Sequence, residues 1–124
     1  MNENNTLKYV KRVMVDFDGV IRQTGGVDHG EPVPFVSDSI KKLQQMGYKV
    51  YVFSTRAAHG HEAFIYDWLE LYGIEVDGIT GFKLEADFYI DDKAIPFCGD
   101  WENTLNVLKM CETQKDGWEK VAVH

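Results

Sequence analysis

At 124 residues, with 13 Lys and Arg against 20 Asp and Glu, the chain is acidic, carries a formal charge of −7, and has the length of one domain spanning residues 1–124. Its 44% hydrophobic and 13% aromatic content supports a core without disulfides or a structural metal, which excludes the disordered, fibrous and membrane-spanning classes. The acidity disfavours long nucleic acid and anionic membrane surfaces as partners, although a local basic site can still take one phosphate. Two cysteines, Cys98 and Cys111, no charged-then-apolar leader and no long apolar run predict a cytoplasmic protein with reduced, buried thiols.

In chain order, Val13-Met14-Val15 is apolar on both faces and reads as a buried, parallel-type strand that ends in Asp16-Phe17-Asp18-Gly19. A polar, glycine-rich stretch runs from Gly19 to Pro34. Val36, Ile40 and Leu43 recur at helical spacing and Gly47 closes that helix. Val50-Tyr51-Val52-Phe53 is a second buried strand, stopping at Ser54-Thr55-Arg56. Ile65, Trp68, Leu69 and Tyr72 mark a second helix before Gly73, and a short third strand falls within Ile74 to Thr80. Phe88-Tyr89-Ile90 is a fourth strand, ending in Asp91-Asp92. Asp100 is placed to cap a last helix bearing Trp101, Leu105 and Leu108 on one face, and Trp68, Trp101 and the other aromatics at helical spacing read as core. From Thr113 to His124 there is no periodic signal, and Val121-Ala122-Val123 has the composition of an edge strand.

Alternating strands and helices predict an α/β fold, a Rossmann-like parallel sheet with helices on both faces, in which ligands bind beyond the carboxyl ends of the strands. The polar residues fall there: Asp16 and Asp18 after the first strand, Ser54 after the second, Asp91 and Asp92 after the fourth. Four carboxylates in one crevice repel one another unless a cation compensates, and Mg²⁺, which takes oxygen ligands and works with one or two carboxylates plus a phosphate, is the economical answer. Ser54, with Thr55 competing for the role, is placed to hydrogen-bond a phosphoryl oxygen. Lys83, with Lys93 as its competitor, is placed to neutralise it. His59-Gly60-His61 reads as a polar lead-in to a helix rather than a transition-metal site.

The order Asp16-Phe17-Asp18-Gly19-Val20, Phe53-Ser54-Thr55-Arg56, Lys83, Asp91-Asp92 resembles the haloacid dehalogenase superfamily of phosphohydrolases, from about Arg12 to Trp101. That resemblance implies a three-layer fold in which Asp16 is the nucleophile that forms an aspartyl-phosphate and Asp18 the general acid/base. It implies Mg²⁺ held by Asp16, the backbone carbonyl of Asp18 and Asp91, with Asp92 in support, and a phosphoryl group bound by Ser54 and Lys83. Val20 stands where many members have Thr. Phe53-Ser54-Thr55-Arg56 and Ile90-Asp91-Asp92-Lys93 are also similar to the phosphatase domain of phage-type polynucleotide kinases, which would bring Arg56 to a substrate phosphate or a site carboxylate.

The stretches from Asp18 to Ser54 and from Ser54 to Lys83 are already spent on core elements, so neither holds a cap domain. A capless site suits a large phosphorylated substrate, or a lid supplied by another subunit of a homo-oligomer, with Gly19 to Pro34 as the local flap. A nucleotide or polynucleotide 3′-phosphatase is the narrower alternative. A receiver-like regulatory module is another, but receivers carry the adjacent acidic pair first and here it comes last. A non-catalytic phosphate-binding module has no chemical need for the second carboxylate, Asp18.

Overall fold

The structure is a computed structural model that describes residues 9–123, with side chains as far as residue 113. Its backbone falls into two compact units, Met1–Asp92 and Lys93–His124.

In the first unit four short strands, β1 (Arg12–Asp16), β2 (Lys49–Phe53), β3 (Gly78–Thr80) and β4 (Phe88–Ile90), pair in parallel in the order β3-β2-β1-β4. Helices α1 (Val36–Gln45), α2 (Thr55–Ala58) and α3 (Glu62–Leu71) make the connections up to β3, as the sequence predicts apart from α2, a single turn started by Ser54. The result is the expected α/β fold with a Rossmann-like parallel sheet, and the described residues contain no inserted cap. Parallel register sets Asp16 beside Phe53 and Val15 beside Ile90, so the ends of β1, β2 and β4 lie side by side. The central position of β1 explains its unbroken apolarity.

Alternation along the strands sends Val13, Val15, Val50 and Val52 into one cluster with Ile40 of α1 and Ile65, Trp68 and Leu69 of α3. Each such side chain contributes about 1.5–3 kcal/mol of burial energy. Phe17, fully buried just past β1, packs edge-on against Trp68 at 5.3 Å between ring centroids. Met14 is buried on the opposite side of β1, where the connection from β3 to β4 crosses and the Leu84 amide meets its Sδ at 3.1 Å. That connection is pinned by Arg12, whose Nη1 donates to the carbonyl of Glu85 at 2.7 Å. It begins at Gly81, where a Cβ would lie 2.4 Å from the amide nitrogen of Ala58.

The second unit carries α4 (Trp101–Val123), capped as expected by Asp100, which accepts from the Glu102 amide at 3.0 Å. Three expectations are corrected here. Val121-Ala122-Val123 continues the helix instead of forming an edge strand: no proline stands between Trp101 and Val123, and Gly117 alone costs about 1 kcal/mol relative to Ala. Cys98 and Cys111 are exposed thiols rather than buried ones. Trp101 is 67% exposed and not core, because among the described residues α4 has no second helix or strand in its own unit to pack against. Among the described residues no helix is long and apolar enough to cross a membrane.

Candidate active site

The sequence Asp16-Phe17-Asp18-Gly19 leaves β1 with a division of labour set by Phe17. Its ring is drawn into the core and the aspartates on either side remain at the strand end. Carboxylate oxygens of Asp16, Asp91 and Asp92 lie within 4.8 Å of one another. Gly19 makes room for this. Its φ of +93° lies in the left-handed region, and a Cβ there would stand 2.4 Å from Oδ2 of Asp92.

This crowding has an electrostatic consequence. Asp16 is pushed up from the ordinary carboxylate range to about 6, chiefly by burial and then by the charges of Asp91 and Asp92, against which the Phe17 amide, donating to its Oδ1 at 3.1 Å, works only partly. Three crowded oxygen donors, two of which destabilise the charge of Asp16, are the donor set a hard divalent cation relieves, so Mg²⁺ fits the residues present.

Lys83 shares a cavity of about 110 Å³ with Asp16 and Asp91, bordered by Met14, Phe53, Tyr89 and Ile90. Its Nζ lies 4.8 Å from the centroid of Tyr89, which holds the ammonium on the aromatic face. Lys93 is the first residue of the second unit. Ser54 is 4% exposed and its Oγ accepts from the Arg56 amide at 3.1 Å, while Thr55 is exposed on the first turn of α2. Ser54 therefore serves as the helix cap, and the bond it accepts leaves the hydroxyl its own proton to donate.

Asp18 stands apart from the three-carboxylate cluster. Its Oδ2 accepts from Nε of Arg56 at 2.8 Å and its Oδ1 from Nη1 of Arg22 at 3.0 Å. Of the two partners expected for Arg56, the structure shows the site carboxylate. Arg22 carries no sequence signal: it lies four residues beyond Asp18 in a loop, where helical spacing rules do not apply. His59 and His61 are outside the carboxylate cluster and exposed, in keeping with a polar lead-in to α3.

The Gly19–Pro34 segment folds back on itself. The Gln23 amide donates to Glu31, Gly30 to Gln23 and Val33 to Ile21, each at 2.8 Å. Trp68 Nε1 donates to the Gly30 carbonyl at 2.9 Å and ties this small hairpin to α3. A cleft of about 240 Å³ between Asp92 and the hairpin, lined by Gly19, Gln23, Thr24, Val33 and Pro34, opens beside the acidic cluster.

Gly19→Ala should test the Asp92 contact. The left-handed backbone costs a Cβ-bearing residue about 1–2 kcal/mol, read by denaturant unfolding. Displacement of Asp92 should weaken divalent-cation binding by about 10- to 100-fold, read by titration. An unchanged cation affinity would mean that Asp92 takes no part in the site.

No protein-family model matches the chain, and no curated protein does. Among solved structures, a conserved protein from Bacteroides thetaiotaomicron is similar at 28% identity and a TM-score of 0.57, over 82% of this chain and 92% of its own. A D,D-heptose 1.7-bisphosphate phosphatase from B. bronchiseptica, complexed with magnesium and phosphate, matches at 23% identity and a TM-score of 0.42, over 68% of this chain and 54% of its own.

Proposed function

We propose that this chain, which resembles the haloacid dehalogenase superfamily in fold and in the order of its site residues, is a single-domain, capless, Mg²⁺-dependent phosphohydrolase acting through an aspartyl-phosphate. The observation that carries the reading is the convergence of Asp16, Asp91 and Asp92 at the ends of β1 and β4, with Lys83 lining one cavity with Asp16 and Asp91. Asp16 attacks phosphorus and the bond to the leaving oxygen breaks. Asp18 gives that oxygen a proton, then takes one from the water that hydrolyses the aspartyl-phosphate. Asp16, Asp91 and Asp92, with the Asp18 carbonyl, would hold Mg²⁺, whose contribution when bound is to neutralise charge on the phosphoryl oxygens. Lys83 adds a cation on the Asp91 side, and Ser54 and Thr55 supply hydroxyl donors where β2 ends. The substrate class is phosphate monoesters, large ones included, because the hairpin is the only cover near the acidic cluster among the described residues of the first unit.

Hydrolysis of p-nitrophenyl phosphate in Mg²⁺, then of a panel of sugar phosphates, nucleotides, 3′-phosphorylated oligonucleotides and phosphopeptides, tests the reading. Inactivity on all of them would overturn it. Asp18→Asn should divide the two carboxylate roles: about 10²- to 10⁴-fold loss on an alkyl phosphate, where the leaving oxygen needs a proton, and much less on p-nitrophenyl phosphate. Equal loss on both would contradict the division.

A further inference from the structure

We propose that Arg22 is a positioning residue for Asp18, holding its carboxylate from the hairpin side while Arg56 holds it from α2; this deepens the phosphohydrolase reading and rests on it. Both oxygens of Asp18 are engaged, one by each guanidinium, at 3.0 and 2.8 Å. The two arginines are not equivalent. Arg56 has a side chain 36% exposed, whereas that of Arg22 is 12% exposed and its Nε is buried with no hydrogen-bond partner among the described residues. A guanidinium desolvated to that degree is placed by its surroundings and by its ion pair with Asp18.

Arg22 is engaged on three sides. Its amide donates to the Phe17 carbonyl at 3.0 Å and its carbonyl accepts from Gly19 at 2.8 Å, so its backbone closes the turn that carries Asp18. It bridges to Pro32 on the returning arm of the hairpin. Its guanidinium lies 5.4 Å from the ring centroid of Phe64, and that of Arg56 lies 4.7 Å from the same ring. Phe64 in turn packs edge-on to Phe17 at 6.4 Å. Turn, hairpin and α3 thus converge on a single side chain whose ion-pair partner among the described residues is Asp18.

To donate, Asp18 takes a proton from solvent on the oxygen that the more exposed Arg56 releases, while the buried Arg22 keeps the other; a proton donor misplaced by an ångström loses much of its effect, so this hold matters most where the leaving oxygen depends on it. Without Arg22, Asp18 keeps its chemistry but is held on one side only. The loss should therefore track the leaving group and appear in kcat, since neither arginine lines the cavity shared by Asp16, Asp91 and Lys83.

The test compares the full-length protein with Arg22→Met and Arg22→Lys in Mg²⁺ on phenyl phosphate and p-nitrophenyl phosphate. Arg22→Met should lose about 10²-fold in kcat on phenyl phosphate with KM nearly unchanged, and no more than about threefold on p-nitrophenyl phosphate. Arg22→Lys, which keeps the charge without the planar fork, should recover part of the loss and carries the same comparison should Arg22→Met fail to fold. An equal loss on the two esters, or none, would overturn the positioning role while leaving the phosphohydrolase reading standing. A wild-type protein inactive on both esters would overturn that reading and the proposal with it.

Discussion

Asp16→Asn is expected to bring phosphatase turnover to background, a loss of about 10⁴-fold or more, because in the proposed mechanism the atom that accepts the phosphoryl group is gone and its neighbours cannot replace it. The same substitution should stabilise the metal-free fold at neutral pH. Asp16 is raised to about 6 in the folded chain from an ordinary value of 3.8, so its charged form is disfavoured by folding. Its contribution is therefore fully present below about pH 4 and is lost as pH rises through about 6. At full value the difference approaches ~3 kcal/mol, and the partial exposure of Asp16 reduces it to ~1 kcal/mol through solvent screening. Metal-free wild type should accordingly lose stability between pH 4 and 7, while Asp16→Asn loses less over the same interval. Thermal unfolding across that range, without metal, decides it. Parallel curves would mean that the burial and the carboxylate crowding around Asp16 have no energetic effect.

The residues at the strand ends were legible in the sequence because topology, not detail, puts them there. A buried apolar run such as Val13-Met14-Val15 has few placements other than the middle of a parallel sheet, and the residues immediately after it must then emerge at the carboxyl edge. Asp16, Ser54, Asp91 and Asp92 needed no more than that. Arg22 was invisible for the opposite reason. Its place opposite Asp18 depends on a reversal of the chain between Gly19 and Pro34, and a glycine-rich loop has no period from which to read a partner. The exposure of Trp101 and Cys111 belongs to the same class: helical spacing reports which residues share a face, and the cover for that face is a tertiary matter. Asp18 illustrates the boundary between the two. Its position was fixed by its distance from Asp16, but its carboxylate turns toward two arginines and leaves the acidic cluster because of side chains brought in by the hairpin and α2.

Removal of divalent metal is expected to abolish hydrolysis and, independently of activity, to lower the thermal midpoint at pH 7. The carboxylate oxygens of Asp16, Asp91 and Asp92 sit within 4.8 Å of one another, and burial with mutual repulsion already shows in Asp16. A cation bound among them acts on the folded chain alone, since the unfolded chain does not bring these strand ends together. At a hundredfold excess over its dissociation constant such a cation adds about 2.7 kcal/mol. For a chain of this length that is an upward shift of about 5–10 °C. Protons compete for Asp16, whose pKa is about 6, so the Mg²⁺-dependent shift should be larger at pH 7.5 than at pH 5. Asp91→Asn should shrink the shift with Asp16, the proposed nucleophile, still in place, which separates metal binding from chemistry. Full turnover in excess EDTA, or a midpoint that ignores Mg²⁺ at both pH values, would mean that the three carboxylates hold no catalytic metal.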